Sequence, residues 1–163
     1  MDMVLLLGVV TGMRCMTAMA AFCLAAWLGL IPETGWAVWS SYLIAAIVFT
    51  VAAAGEWVVD TRPQTPRRTE MGPALARVVV GAMVGAMAAK AIDEPIAGGV
   101  IFGAVGALIG TWGGFFVRMT AARILRRDLP AALIETVSAV GLAILAVARL
   151  HYGIVMDLQK AAS

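Results

Sequence analysis

GEWVVDTRPQTPRRTEMGPALAR, residues 55–77, is the one long polar interruption in an otherwise apolar sequence. Pro63 and Pro66 stop a helix from continuing through it. Pro73 suits the first turn of a new helix, where its missing N–H costs nothing. The stretch therefore joins two apolar helices. It also holds groups that packing does not explain. Glu56 and Asp60 are four residues apart and would share a helix face, Thr65-Pro66-Arg67-Arg68-Thr69 offers two hydroxyls and two guanidiniums, and Arg77 follows just past Pro73.

Away from this loop the chain reads as membrane helix. Hydrophobic residues are 62% and charged residues 13% of its 163 residues, and mean hydropathy is +0.93. Soluble domains are roughly 45–50% apolar, and one of this length keeps too much surface wet to hide the excess. A net charge of +2 gives no reason to expect nucleic acid. Cys15 and Cys23 would lie about 12 Å apart along a helix, too far for a disulfide, and read as small buried hydrophobes. The N-terminus lacks a basic region and an apparent cleavage site, so its apolar run is expected to remain as a span.

The pattern predicts an all-α integral membrane protein, one domain over residues 1–163 with about five spans. These cover residues 3–31, 36–59, 73–91, 96–117 and 129–150. Trp36, Trp39 and Tyr42 form an interfacial belt at the start of the second. Loops 60–72 and 118–128 carry Arg62, Arg67, Arg68, Arg118, Arg123, Arg126 and Arg127, against Lys90, Arg149 and Lys160 on the opposite side of the expected spans. The positive-inside rule makes both loops cytoplasmic, with an N-in/C-out chain. Arg14 leaves open whether the first span is continuous, broken or re-entrant.

Glycines at 99, 103, 106, 110 and 113 put a bare stripe on one face of the fourth span, and Gly8/Gly12 and Gly81/Gly85 repeat the device. Such stripes let helix backbones approach closely, either within the chain or across a homo-oligomer seam.

Charged side chains in apolar spans are expensive, about 2.5–3.5 kcal/mol each at mid-helix on insertion scales, and rarely face lipid. Arg14, Glu56, Arg77, Arg118 and Glu135 are the ones present. Depths counted along each helix bring them toward one cytoplasm-facing polar cavity, with Asp60, Thr17 and the loop residues Thr65, Arg68 and Thr69. Arg14 and Arg77 need counter-charges, which Glu56, Asp60 and Glu135 alone could supply. Structural ion pairing explains such a set as readily as ligand binding. Arg67 and Arg68 taken alone are ordinary juxtamembrane topology residues. No catalytic residue, cofactor or metal is expected. His151, the sole histidine, falls at the far end, and Met13, Met16 and Met19 around Cys15 read as gap-filling side chains rather than copper ligands.

With Gly12-x-Arg14-x-Met16-Thr17, Asp60-x-x-Pro63-x-Thr65-Pro66-x-Arg68-Thr69 and Arg77-x-x-x-Gly81-x-x-x-Gly85, the chain resembles the small bacterial inner-membrane proteins of domain-of-unknown-function group 4126 (DUF4126). The resemblance runs from about Leu6 to Ala148. It implies a multi-pass inner-membrane protein in which Arg14, Asp60, Arg68, Arg77 and Glu135 matter, and it brings no activity with it. Gly106-Ala107-Leu108-Ile109-Gly110, then Phe115 to Arg118, Pro130 and Glu135, is also similar to the C-terminal part of membrane CDP-archaeol synthases. Those enzymes hold Mg²⁺ and CTP with acids and have Asp where this chain has Thr111.

Three functions are compatible with these residues. A transporter- or channel-like protein would pass an ion or small anionic solute through the polar cavity. A membrane enzyme or binder would grip a lipid phosphate with the arginines. A structural or assembly protein would use the glycine stripe as its contact.

Overall fold

The computed structural model describes residues 1–33, 35–59, 71–125 and 128–162. Asp60, Thr65, Arg68 and Thr69 lie outside the described residues. Within them the chain forms α1 (Asp2–Met13), α2 (Cys15–Trp27), a 3-10 helix (Gly35–Ser41), α3 (Leu43–Val59), α4 (Met71–Ala91), α5 (Ile96–Leu125) and α6 (Asp128–Ala162). Three of these helices, Met71–Ala91, Ile96–Ala121 and Pro130–Ala162, are long and apolar enough to cross a membrane. The 3-10 helix and α3 would together make a fourth, bent by 67°.

The glycines explain the centre of the bundle. Gly99 and Gly103 of α5 face Gly85 and Gly81 of α4, while Gly106 and Gly110 face Gly8 and Gly12 of α1. A methyl group on Gly103 would collide with the carbonyl oxygen of Gly81, and one on Gly106 with the carbonyl oxygen of Leu5. Both obstacles are backbone and cannot swing aside. The two short glycine motifs thus dock on successive parts of one stripe, and the stripe is consumed inside the chain as far as Gly110. Gly113 has nothing within 4 Å of where its Cβ would lie. Val4 and Leu7 of α1 and Val84 and Met87 of α4 are fully buried and belong to the hydrophobic core.

The first apolar run is two helices. Arg14 is extended (φ −141, ψ 103) between α1 and α2, and the chain reverses there. Met1 and Asp2 share a surface pocket with Ile92, Glu94, Arg149 and Gly153. Leu30, beyond α2, accepts a 2.6 Å contact from His151 Nδ1. Both ends of the α1–α2 pair therefore lie beside one end of α6, whereas the Arg14 side chain reaches Ala132, about 28 Å back along that helix at 1.5 Å per residue. The N-terminus and the later part of α6 thus share one end of the bundle. The reversal at Arg14 is the physical reason. α2 stops where Gly29 (φ 73) closes a Schellman pair, with Leu30 N–H to the Ala25 carbonyl at 2.9 Å and Gly29 N–H to that of Ala26 at 3.0 Å.

Other boundaries also move. The second span is not one helix from residue 36: Trp36 and Trp39 lie in the 3-10 helix and Tyr42 just after it, with Trp36 and Tyr42 exposed and the rings of Trp39 and Phe49 6.0 Å apart. The segment 118–128, expected as a loop, is helical through Leu125, because Arg, Met and Ala continue a helix readily even where hydropathy falls. α6 likewise runs well past residue 150 to Ala162. Between α4 and α5 the turn is tight, and Asp93 takes a left-handed conformation (φ 53) while Glu94 N–H returns to the Ala89 carbonyl at 2.9 Å.

The glycine contacts give opposite predictions for one substitution at two sites. Gly106→Ala should lower stability by about 1–3 kcal/mol through overpacking. Gly113→Ala should be neutral or stabilising by up to about 1 kcal/mol, from helix propensity alone. Unfolding of the two variants in one detergent measures both.

Candidate functional site

Breaking a helix inside an apolar bundle strands backbone N–H groups that have no carbonyl one turn earlier. In lipid each such group is expensive. Glu56, on α3 and some forty residues away in sequence, meets this need. Its carboxylate oxygens accept the N–H of Cys15 at 2.8 Å and that of Met16 at 2.9 Å, the first two residues of α2. A carboxylate there also complements the positive end of the helix dipole. Thr17 N–H turns back to the Arg14 carbonyl at 3.2 Å.

The same carboxylate faces a guanidinium. Arg77 Nη2 of α4 lies 3.7 Å from Glu56 Oε1, and its Nη1 donates to the Pro73 carbonyl at 3.4 Å. The Arg77 Nε is buried and makes no hydrogen bond among the described residues. At the next residue of α3, Trp57 Nε1–H donates to the Thr17 hydroxyl at 3.3 Å. Glu56 and Trp57 thus clamp the start of α2 with consecutive side chains.

Arg14, 1% exposed, donates from Nη2 to the Ala132 carbonyl of α6 at 3.4 Å. Glu135, one turn further along α6 and also buried, lies 3.8 Å from Arg118 Nη1 of α5. Gly114 makes the room: a Cβ there would meet Met13 Cγ at 3.3 Å and Glu135 Oε1 at 3.5 Å. The structure therefore brings Arg14, Glu56 and Arg77 to the break, sets Thr17 beside them, and places the Arg118–Glu135 pair next to Ala132 and Met13. Six of the ten expected site residues fall in this region, drawn from five helices. The other four are those outside the described residues.

Two features were not expected. The described charged groups bond to one another and to freed backbone groups. The groove of about 500 Å³ lies instead between α2, α3 and α6, with Thr17 as its sole member from the expected set and His151 at its far end. The alanines that create this groove, such as Ala54 and Ala148, carry no polar signal in a sequence. Trp57 could have been picked out as the aromatic next to Glu56. Thr111, where the similar synthases have Asp, is 1% exposed and donates its hydroxyl to the Ala107 carbonyl at 2.7 Å. It is sealed into the α1–α5 contact beside Gly12.

Glu33 is a separate ionisable group, in the connection after α2. Burial pushes its carboxyl up from 4.5 to about 7, against the opposing pull of Lys90. Neither of its carboxylate oxygens has a hydrogen-bond partner among the described residues.

Comparison of the chain with protein-family models, with curated proteins and with solved structures returned no match. The assignment of a function therefore rests on the geometry.

Two measurements follow from the site. Glu56→Ala removes a carboxylate from a mostly buried pair, which costs about 3–5 kcal/mol when one partner goes, and strands two N–H groups as well. Glu56→Gln keeps an acceptor and should cost less; thermal unfolding of both variants and of Glu56→Ala/Arg77→Ala gives the coupling. For Glu33, the folded state holds its proton to higher pH than the unfolded chain, so stability should fall as pH rises from about 4.5 to 7, as linkage requires. Glu33→Gln should flatten that part of the profile.

Proposed function

We propose that this is a multi-pass membrane protein of transporter or channel type. It recognises an ion or small anionic solute at the charged junction between α1 and α2. The observation that supports this most is the reversal at Arg14, with the freed N–H groups of Cys15 and Met16 met by charge supplied from other helices. Membrane proteins use discontinuous helices to expose backbone groups and dipole ends to solutes, and irregular backbone at depth is tolerated where it serves a site. Here the carboxylate of Glu56 occupies the place an anion would take, and Arg77 lies against it. A solute anion would displace Glu56 and inherit its partners.

In the same reading, α3 to α6 cross the membrane four times, and α1–α2 enters and returns from one side. The end of the bundle bearing Arg77 and Arg118 faces the cytoplasm of a bacterial inner membrane by the positive-inside rule, and both ends of the α1–α2 pair face away from it. Asp60, Thr65, Arg68 and Thr69 belong to the site in this proposal, as does membership of the DUF4126 group.

Purified protein in liposomes should release entrapped chloride or inorganic phosphate faster than protein-free vesicles. Glu56→Gln and Arg77→Lys should reduce that flux at least tenfold while keeping the monodisperse elution of the parent. Equal flux from the variants, or none from the parent protein, ends the proposal. If Arg14→Ala is degraded rather than folded and inactive, Arg14 is a structural residue and not a solute ligand.

A further inference from the structure

We propose that the groove between α2, α3 and α6 holds one acyl chain of an anionic phospholipid, with the lipid phosphate at the Thr17–Trp57 end. This names the solute class for the charged junction described above and rests on that junction being a binding site.

The shape comes first. The groove encloses about 500 Å³, within the roughly 300–1,000 Å³ of small-molecule sites. Its floor follows α2 from Thr17 to Leu28, about 16 Å at 1.5 Å per residue. That length is about half of a hydrocarbon core roughly 30 Å thick, the depth of one leaflet. Small side chains leave the space open: Ala21 on the floor, Ala54 on one wall and Ala148 on the other. Thr17, Thr50 and His151 are the polar members of the lining.

The surroundings select a lipid. Val51 and Ile144, on the helices forming the two walls, are 65% and 62% exposed, so those helices stand in hydrocarbon. A two-chain lipid could place one chain in the groove and leave the second in the bilayer. Trp57, at the cluster end, is 36% exposed, as suits an interfacial indole, and Glu56 is three residues from the end of α3.

Charge selects the head group. Around that end the described residues supply the guanidiniums of Arg14, Arg77 and Arg118 against the carboxylates of Glu56 and Glu135. The positive end of α2 adds to this field. Arg77 is 6% exposed and aims Nη2 at the Glu56 position, with its Nε lacking a hydrogen bond among the described residues. A phosphate monoanion complements this end and can take a forked pair of hydrogen bonds from a guanidinium.

Native mass spectrometry of the intact protein in detergent tests the proposal with phosphatidylglycerol and phosphatidylcholine of equal chain length. One phosphatidylglycerol should be retained per chain, at least tenfold in preference to phosphatidylcholine. Ala54→Phe and Ala148→Phe, each filling the groove from an exposed wall, should each cut that retention at least tenfold. A second readout is Trp fluorescence in bilayers of phosphatidylglycerol brominated on the acyl chain: the quenching lost on Trp57→Phe should also be lost when Ala148→Phe fills the groove. The proposal is overturned by equal retention of the two lipids, or by undiminished retention in both groove-filled variants. It is equally overturned by a dimer that those substitutions dissociate without any lipid release. Ion flux distinguishes this from the broader reading. A protein that carries neither chloride nor phosphate but keeps one groove lipid loses the transport function alone, and flux without a groove lipid removes only this inference.

Discussion

The carboxylate of Glu56 against the first turn of α2 is the interaction on which the rest depends. A chain that reverses inside an apolar bundle must find partners for the N–H groups it exposes, since hydrocarbon supplies none. Glu56 supplies two acceptors at 2.8 and 2.9 Å, and Arg77 keeps its charge from standing alone. That one contact ties α3 to α2 and links both to α4. Trp57, the next residue, adds its hydrogen bond to Thr17. Without these contacts the α1–α2 reversal would leave polar groups with no compensation.

A second constraint is the close approach of helices around α5. Glycine removes the side chain that would hold two backbones apart, which is how helices in lipid gain contact when there is no hydrophobic drive between them. Since α1 and α4 are pressed against one stripe, the tip of the α1–α2 pair is held at a fixed height. Arg14 then meets α6 at Ala132, beside the Arg118–Glu135 pair on Gly114. Packing at one end of the bundle thereby sets where charge gathers at the other.

The same geometry accounts for the groove. α3 is seated on α2 through alanines and through the Glu56 and Trp57 contacts, and stands off from α6 across a gap floored by α2. Bulky walls would have filled that gap and removed the space. A charged end beside an apolar slot is a combination suited to an amphiphile, and neither half alone implies it.

The residue pattern by itself determined the helical, membrane-type character, the three glycine motifs, and the set of charges that had to find one another. Depth along a helix is readable from residue number, so Arg77 and Glu56 could be matched in advance. The reversal at Arg14 could not be decided that way. An arginine in an apolar run is equally compatible with a continuous span and with a break, and the choice turns on an acceptor from α3 being within 3 Å of the freed N–H groups. Helix ends were misread where hydropathy fell but helix propensity did not, at 118–125 and beyond 150. The groove was invisible for a different reason: alanine looks the same in a sequence whether its methyl group touches a neighbour or borders an empty slot, and only the spacing of three helices in the tertiary structure distinguishes the two.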